Sequence, residues 1–126
     1  MAIRTSIGVN DQGQTFDAVP IPFGVFEFPQ NTSAVVRFQV IALRSDFAMK
    51  AWSGEIFVKK NGGTLAVNEM IPTPANIFAS AADEVTMATV TIALFTDGTY
   101  VGVTCTGQAG QTIDWLIDFV GSGFTQ

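Results

Sequence analysis

Val90-Thr91-Ile92-Ala93-Leu94-Phe95-Thr96-Asp97-Gly98-Thr99-Tyr100-Val101-Gly102-Val103-Thr104-Cys105-Thr106-Gly107-Gln108-Ala109-Gly110-Gln111-Thr112-Ile113-Asp114-Trp115-Leu116-Ile117-Asp118-Phe119 is the stretch that decides the fold. Asp97-Gly98 lies between two runs of β-branched and aromatic residues. Glycine accepts the positive φ of a tight turn, so the pair predicts a β-hairpin. The glycines at 107 and 110 predict a second turn, followed by a third strand. Along that strand Ile113, Trp115, Ile117 and Phe119 point one way, while Thr112, Asp114 and Asp118 point the other. The expectation is an antiparallel β domain with one wet face.

Upstream, Ser33–Arg44 reads as a strand with Val36, Phe38, Val40 and Ala42 on one face. Its other face turns apolar at Ile41 and Leu43, which predicts a central strand or one covered on both sides. The next strand is Ala51–Lys60, with Trp52, Ile56 and Val58 facing together. Asn61-Gly62-Gly63 turns it back into a strand over Thr64–Ile71. Pro72-Thr73-Pro74 ends that strand, and residues 75–85 read as a small-residue loop around Ile77 and Phe78, with room for one helical turn. Phe16–Phe28 is strand-like, but Pro20 and Pro22 cannot donate to a ladder. It is therefore expected as an edge strand or extended loop. Residues 1–14 carry Gly8, Asn10, Asp11 and Gly13 and read as an N-terminal arm. Residues 121–126 read as a tail.

The resulting fold class is all-β: an antiparallel β-sandwich, jelly-roll-like, of seven or eight strands, with a barrel as the runner-up. At 126 residues the chain has room for one domain, expected over residues 15–126 behind the arm. The expected core is Val36, Phe38, Val40, Trp52, Ile56, Val58, Val90, Ile92, Leu94, Ile113, Trp115, Ile117 and Phe119.

Composition narrows the chemistry. The sequence contains no histidine, the commonest general base and metal ligand. Ser-His-Asp and Cys-His catalysis are excluded, and an enzyme would have to work with carboxylates, Lys or Tyr alone. The expectation is a protein that is not an enzyme and needs no cofactor. The single cysteine, Cys105, rules out an intrachain disulfide and reads as a small buried residue. Net charge is −5, and of the basic residues Arg4, Arg37, Arg44, Lys50, Lys59 and Lys60 only the last two are adjacent. Nucleic acid is therefore not an expected partner. Charged residues make up 13 % of the chain against 48 % hydrophobic. Either a Thr/Ser/Gln-rich surface compensates, or a partner covers part of the molecule. Met1–Ser6 lacks the apolar core of a secretory signal, and no apolar run approaches the ~20 residues that span a bilayer. Synthesis in a cytoplasm, with no membrane partner, is the expectation.

Four groups of residues are candidates for chemistry or binding. Asp114 and Asp118 share a strand face four residues apart, about 13 Å at ~3.3 Å per residue, wider than the roughly 5–9.5 Å of glycosidase carboxyls. Asp83-Glu84, Asp97 and Asp11-Gln12-Gly13 supply loop oxygens suited to calcium, without the spacing of a calcium loop; no metal site is expected. Trp52, Trp115 and Tyr100 offer either a sugar-stacking platform or core, and the apolar neighbours of both tryptophans favour core. Finally, Phe16, Ile21, Phe23, Val25, Phe26 and Phe28 form a greasy strip, which folds onto its own sandwich or packs against another chain as an oligomer or capsid interface.

Thr106-Gly107-Gln108-Ala109-Gly110-Gln111-Thr112-Ile113-Asp114-Trp115 resembles a C-terminal signature of small all-β virion proteins and of tail or fibre domains of tailed bacteriophages. Ala51–Gly63, a Trp strand ending in basic residues and a Gly-rich turn, is similar to the same proteins. The resemblance spans roughly residues 33–120 and carries no catalytic residues. It implies a structural role on a phage virion: a capsid decoration (cement) protein, favoured as a homotrimer bound to the major capsid protein, or a tail, adaptor or fibre module bound to a tail protein. A carbohydrate-binding β-sandwich acting on host glycan is the alternative from another class.

Overall fold

The computed structural model describes residues 2–68 and 77–126. Among these, the chain runs β1 (Ile3–Thr15), β2 (Ile21–Glu27), β3 (Thr32–Arg44), β4 (Met49–Asn61), β5 (Thr64–Val67), β6 (Ile77–Phe78), α1 (Ala81–Thr86), β7 (Thr91–Thr96), β8 (Tyr100–Thr106) and β9 (Ile113–Thr125). Every strand pair is antiparallel. Six strands form a long sheet in the order β1-β9-β3-β4-β5, with β6 paired to β4; the other three form a short sheet in the order β2-β8-β7. The molecule is an all-β antiparallel sandwich of nine described strands.

The expected hairpin joins β7 to β8. Gly98 takes φ +89°, and the Asp97 carboxylate accepts from the amides of Thr99 and Tyr100 at 3.0 and 2.8 Å. Those donors hold the carboxylate below its ordinary range. Proline-bearing β2 is an edge strand, irregular between Phe23 and Phe26. β3 is central in hydrogen bonding, between β9 and β4, but its outward face is not covered by any described strand.

Three segments correct the sequence reading. The arm expected over residues 1–14 is absent: residues 3–15 are instead β1, paired with β9 from Ile3↔Thr125 to Thr15↔Ile113. Glycine, Asn and Asp in this stretch signal turns locally, but the ladder offered by β9 satisfies the backbone groups over the full length. Gly13 has a tertiary reason: the Phe23 ring lies where its Cβ would stand. The expected tail is likewise the end of β9, which runs to Thr125 and pairs with β1 and β3. The expected loop at 75–85 contains β6 and α1, the latter capped by Ser80 Oγ, which accepts from the Asp83 amide at 3.1 Å. The part of the expected strand beyond Asn68, and the Pro72-Thr73-Pro74 stop, lie outside the described residues.

The interior is one cluster drawn from both sheets. Trp52 and Trp115 lie at its centre, fully buried and stacked at 5.9 Å with 14° between planes. The Trp115 indole N–H donates to Thr15 Oγ1 at 2.9 Å, and both groups are buried. Of the expected core, only Leu94 sits at the margin, partly exposed. Lys50 and Lys60, near the two ends of β4, also turn inward. Lys50 Nζ donates to the carbonyls of Met87 (3.3 Å) and Val90 (3.0 Å) and stands 5.5 Å from the Trp52 ring centre. Lys60 Nζ donates to the Phe28 carbonyl at 3.1 Å. A buried ammonium is tolerated only with such partners, and here the partners belong to the segments flanking β7 and β2. The two lysines therefore fasten the long sheet to the chain of the short one.

Candidate docking surface

The outward side of the long sheet is set by strand parity. On β9 it carries Asp114, Leu116, Asp118, Val120, Ser122 and Phe124. Opposite these on β3 stand Leu43, Ile41, Gln39, Arg37, Val35 and Ser33. Continuing across β3, the row is completed on β4 by Met49, Ala51, Ser53, Glu55, Phe57 and Lys59. On the other flank β1 supplies Gln14, Gln12, Asn10, Gly8, Ser6 and Arg4. β1, β3, β4 and β9 each contain thirteen residues, so this is a long, four-strand-wide surface.

The expected wet face of β9 is only half wet. Val120 and Phe124 are each 62 % exposed, and Phe57 on β4 is 56 % exposed. Phe57 and Phe124, with Val35, border an apolar depression of about 450 Å³ at one end of the face. Leu116, Ile41, Leu43 and Met49 form a second apolar area at the other end. Between the two lies a groove of about 580 Å³ whose polar groups are Asn10, Gln39, Ser53, Asp118 and the Arg37–Glu55 ion pair, with Val120 also on its wall. That pair spans 3.6 Å with side chains 80 % and 50 % exposed, so water screens it and it adds little stability.

The turn after β3 lies at the Leu43–Met49 end. Phe47 takes φ +70°, uncommon for a bulky residue, and its side chain is 85 % exposed. Arg44 sets this turn: its guanidinium grips both oxygens of Asp46 at 2.9 Å and also reaches the Thr86 carbonyl and Gln108 Oε1. The hydrogen bond from Arg44, aided by the Ala48 amide, holds the Asp46 carboxyl below its ordinary range.

The candidate residues named from sequence are scattered. Of the greasy strip, Phe28 is fully buried and cannot serve as an interface residue. Its position at the end of β2 turns it under Lys60 and into the core. Phe23 and Phe26 pack against that core from its rim, Phe26 against Phe119 at 5.5 Å. Ile21 is half-buried, while Phe16 and Val25 remain exposed. Asp114 accepts from Gln14 Nε2 at 2.6 Å, whereas Asp118 faces the groove. Three of the candidate loop carboxylates are engaged by backbone amides: Asp11 by Gln12 and Gly24, Asp83 by Met49 and Asp97 by its own turn. Among the described residues no three His, Cys, Asp or Glu side chains gather in one place. Trp52 and Trp115 lie inside the sandwich, away from any sugar.

The sequence shows the apolar turn of β3 at Ile41 and Leu43, but the apolar residues on the outward face of β9 were not expected. The signal was present: Leu116, Val120 and Phe124 recur on the same side of β9 as Asp114 and Asp118.

Neither a family model nor a curated protein matches the chain. Among solved structures, the tailspike protein gp49 of Acinetobacter baumannii bacteriophage Fri1, a capsular polysaccharide depolymerase, aligns with 94 % of this chain at 15 % identity and a TM-score of 0.37. The chain spans 17 % of that protein's length. A similarity of that size does not establish a shared fold.

Proposed function

We propose that this chain is a non-enzymatic structural protein of a tailed-phage virion, in its finer form a capsid decoration protein that joins the shell as an oligomer. The observation that carries the reading is the outward face of the long sheet: an extended surface, half apolar, that no described element covers. Exposed apolar surface on this scale, interleaved with polar groups, marks an assembly site. A decoration protein acts by burying such surface, which contributes about 25 cal/mol per Å² of apolar area and resists expansion of the shell. The resemblance of residues 106–115 and 51–63 to virion proteins supplies the setting. In this reading Phe16 and Val25, exposed beside the short sheet, contact the shell.

Co-sedimentation with purified particles tests the proposal. The protein should travel with the capsid fraction, and Phe16→Ser with Val25→Ser should release it while leaving the fold intact. Association with isolated tails instead would move the assignment to a tail or fibre module. Absence from particles, or turnover of a polysaccharide by the pure protein, would overturn it.

A further inference from the structure

We infer that the outward face of the long sheet is occupied by a second copy of this chain, packed face to face with its strands antiparallel to the first. The inference rests on the reading of that face as an assembly surface and names its partner.

Area is the first argument. Four thirteen-residue strands, at ~4.8 Å spacing and ~3.3 Å rise, present roughly 800 Å². That matches the ~800 Å² per partner of a stable, specific interface.

Charge is the second, and it selects the symmetry. Asp114 and Asp118 mark the half of the face nearest the β3–β4 turn. Arg4 and Lys59 lie in the row at its far end, where Arg4 pairs with Phe124 across β1 and β9 and Ser33 pairs with Lys59 across β3 and β4. Arg37 and Glu55 neutralise each other between them. A two-fold axis parallel to the strands would stack acid on acid and base on base. A two-fold axis across the strands reverses one copy, so Asp114 of each copy lies beside Arg4 of the other.

Apolar matching is the third argument. The same reversal lays Ile41 over Val35 and Ala51 over Phe57 of the second copy, with Leu116 over Ser122 and beside Val35. Stacked sheets keep their strand directions within about 30°, so the rows stay in approximate register. The contact is isologous and closes at two copies; a threefold assembly would have to use other surfaces.

Sedimentation velocity and light scattering on the full chain test this. A dimer is expected, weakened by salt because charge sets the register. Leu116→Lys should give a monomer with an unchanged circular-dichroism spectrum and melting temperature. Arg4→Glu and Asp114→Lys, both at exposed positions, should each weaken association about tenfold or more. Combining them in one chain should restore the wild-type dimer, because each reversed acid then faces a reversed base. A monomer at hundreds of micromolar, a dimer indifferent to Leu116→Lys, or loss of affinity in the combined variant equal to the sum of the singles would each overturn the inference. If the wild-type chain is monomeric yet co-sediments with particles, the second copy is refuted and the virion reading stands. A rescued dimer that never joins particles upholds the second copy and refutes the virion reading.

Discussion

Thr15 and Trp115 join the end of β1 to the centre of the core, and the strength of that join can be worked out from the structure. The indole N–H donates to Thr15 Oγ1 at 2.9 Å, with Thr15 wholly buried and Trp115 1 % exposed. Thr15→Val keeps the shape but leaves a buried N–H without an acceptor, costing about 1–3 kcal/mol. Trp115→Phe leaves the Thr15 hydroxyl unpartnered at a similar cost, and shrinking the stack with Trp52 forfeits part of the ~0.5–1.5 kcal/mol of an aromatic pair. The double variant removes both polar groups together. Neither is then orphaned, so its cost should fall short of the sum of the singles by about 1–2 kcal/mol. Urea unfolding, followed by circular dichroism so that the loss of one tryptophan does not bias the signal, gives the three differences. Additivity within ~0.5 kcal/mol would show that the two groups do not interact. The reasoning would then be wrong at its root, because β1 would not be anchored in the core.

Deleting residues 1–14 should abolish cooperative unfolding, since it strips the ladder from the whole outer edge of β9 and removes buried Ile7; a truncated chain melting at the full-length temperature refutes this. Lys50→Met should cost about 1–3 kcal/mol in urea, because the carbonyls of Met87 and Val90 lose a buried donor; an unchanged midpoint would show that the ammonium fastens nothing. Burial, and then the charge of Asp11, push the Cys105 thiol up from 9.0 to about 12. The native protein should resist a thiol reagent that labels the unfolded chain at once. The protonated thiol's contribution to stability is complete below the unfolded value of 9.0 and is lost as pH rises toward about 12, so Cys105→Ala should flatten the alkaline limb of the stability curve. Asp46 and Asp97 have folded values below their ordinary 3.8. Their stabilisation is present above that value and lost as pH falls through the lowered ones. Asp46→Asn and Asp97→Asn should therefore flatten the acid limb, and an acid limb identical to wild type contradicts the assignment.

Residues 90–119 determine by themselves that the chain is a β-protein, because alternation and an Asp-Gly turn are local signals carried by side chains two positions apart. The same logic extends to β3 and β4, and to the tryptophans as core residues. It fails at β1, where Gly8, Asn10, Asp11 and Gly13 speak for a turn and only β9 speaks for a strand. The hydroxyl of Thr5 meets that of Thr125 across 120 positions of sequence. A pairing over that distance leaves no trace in a local window. It likewise reassigns Gly121–Thr125 from tail to strand and Phe28 from strip to core. The docking surface lies between these cases: each of its apolar residues is visible in its own strand, but which strands stand side by side, and in what register, is decided by backbone hydrogen bonds between distant segments. Only that register places Asp114 and Asp118 in one half of the face and sets Arg4 and Lys59 in a row at its far end.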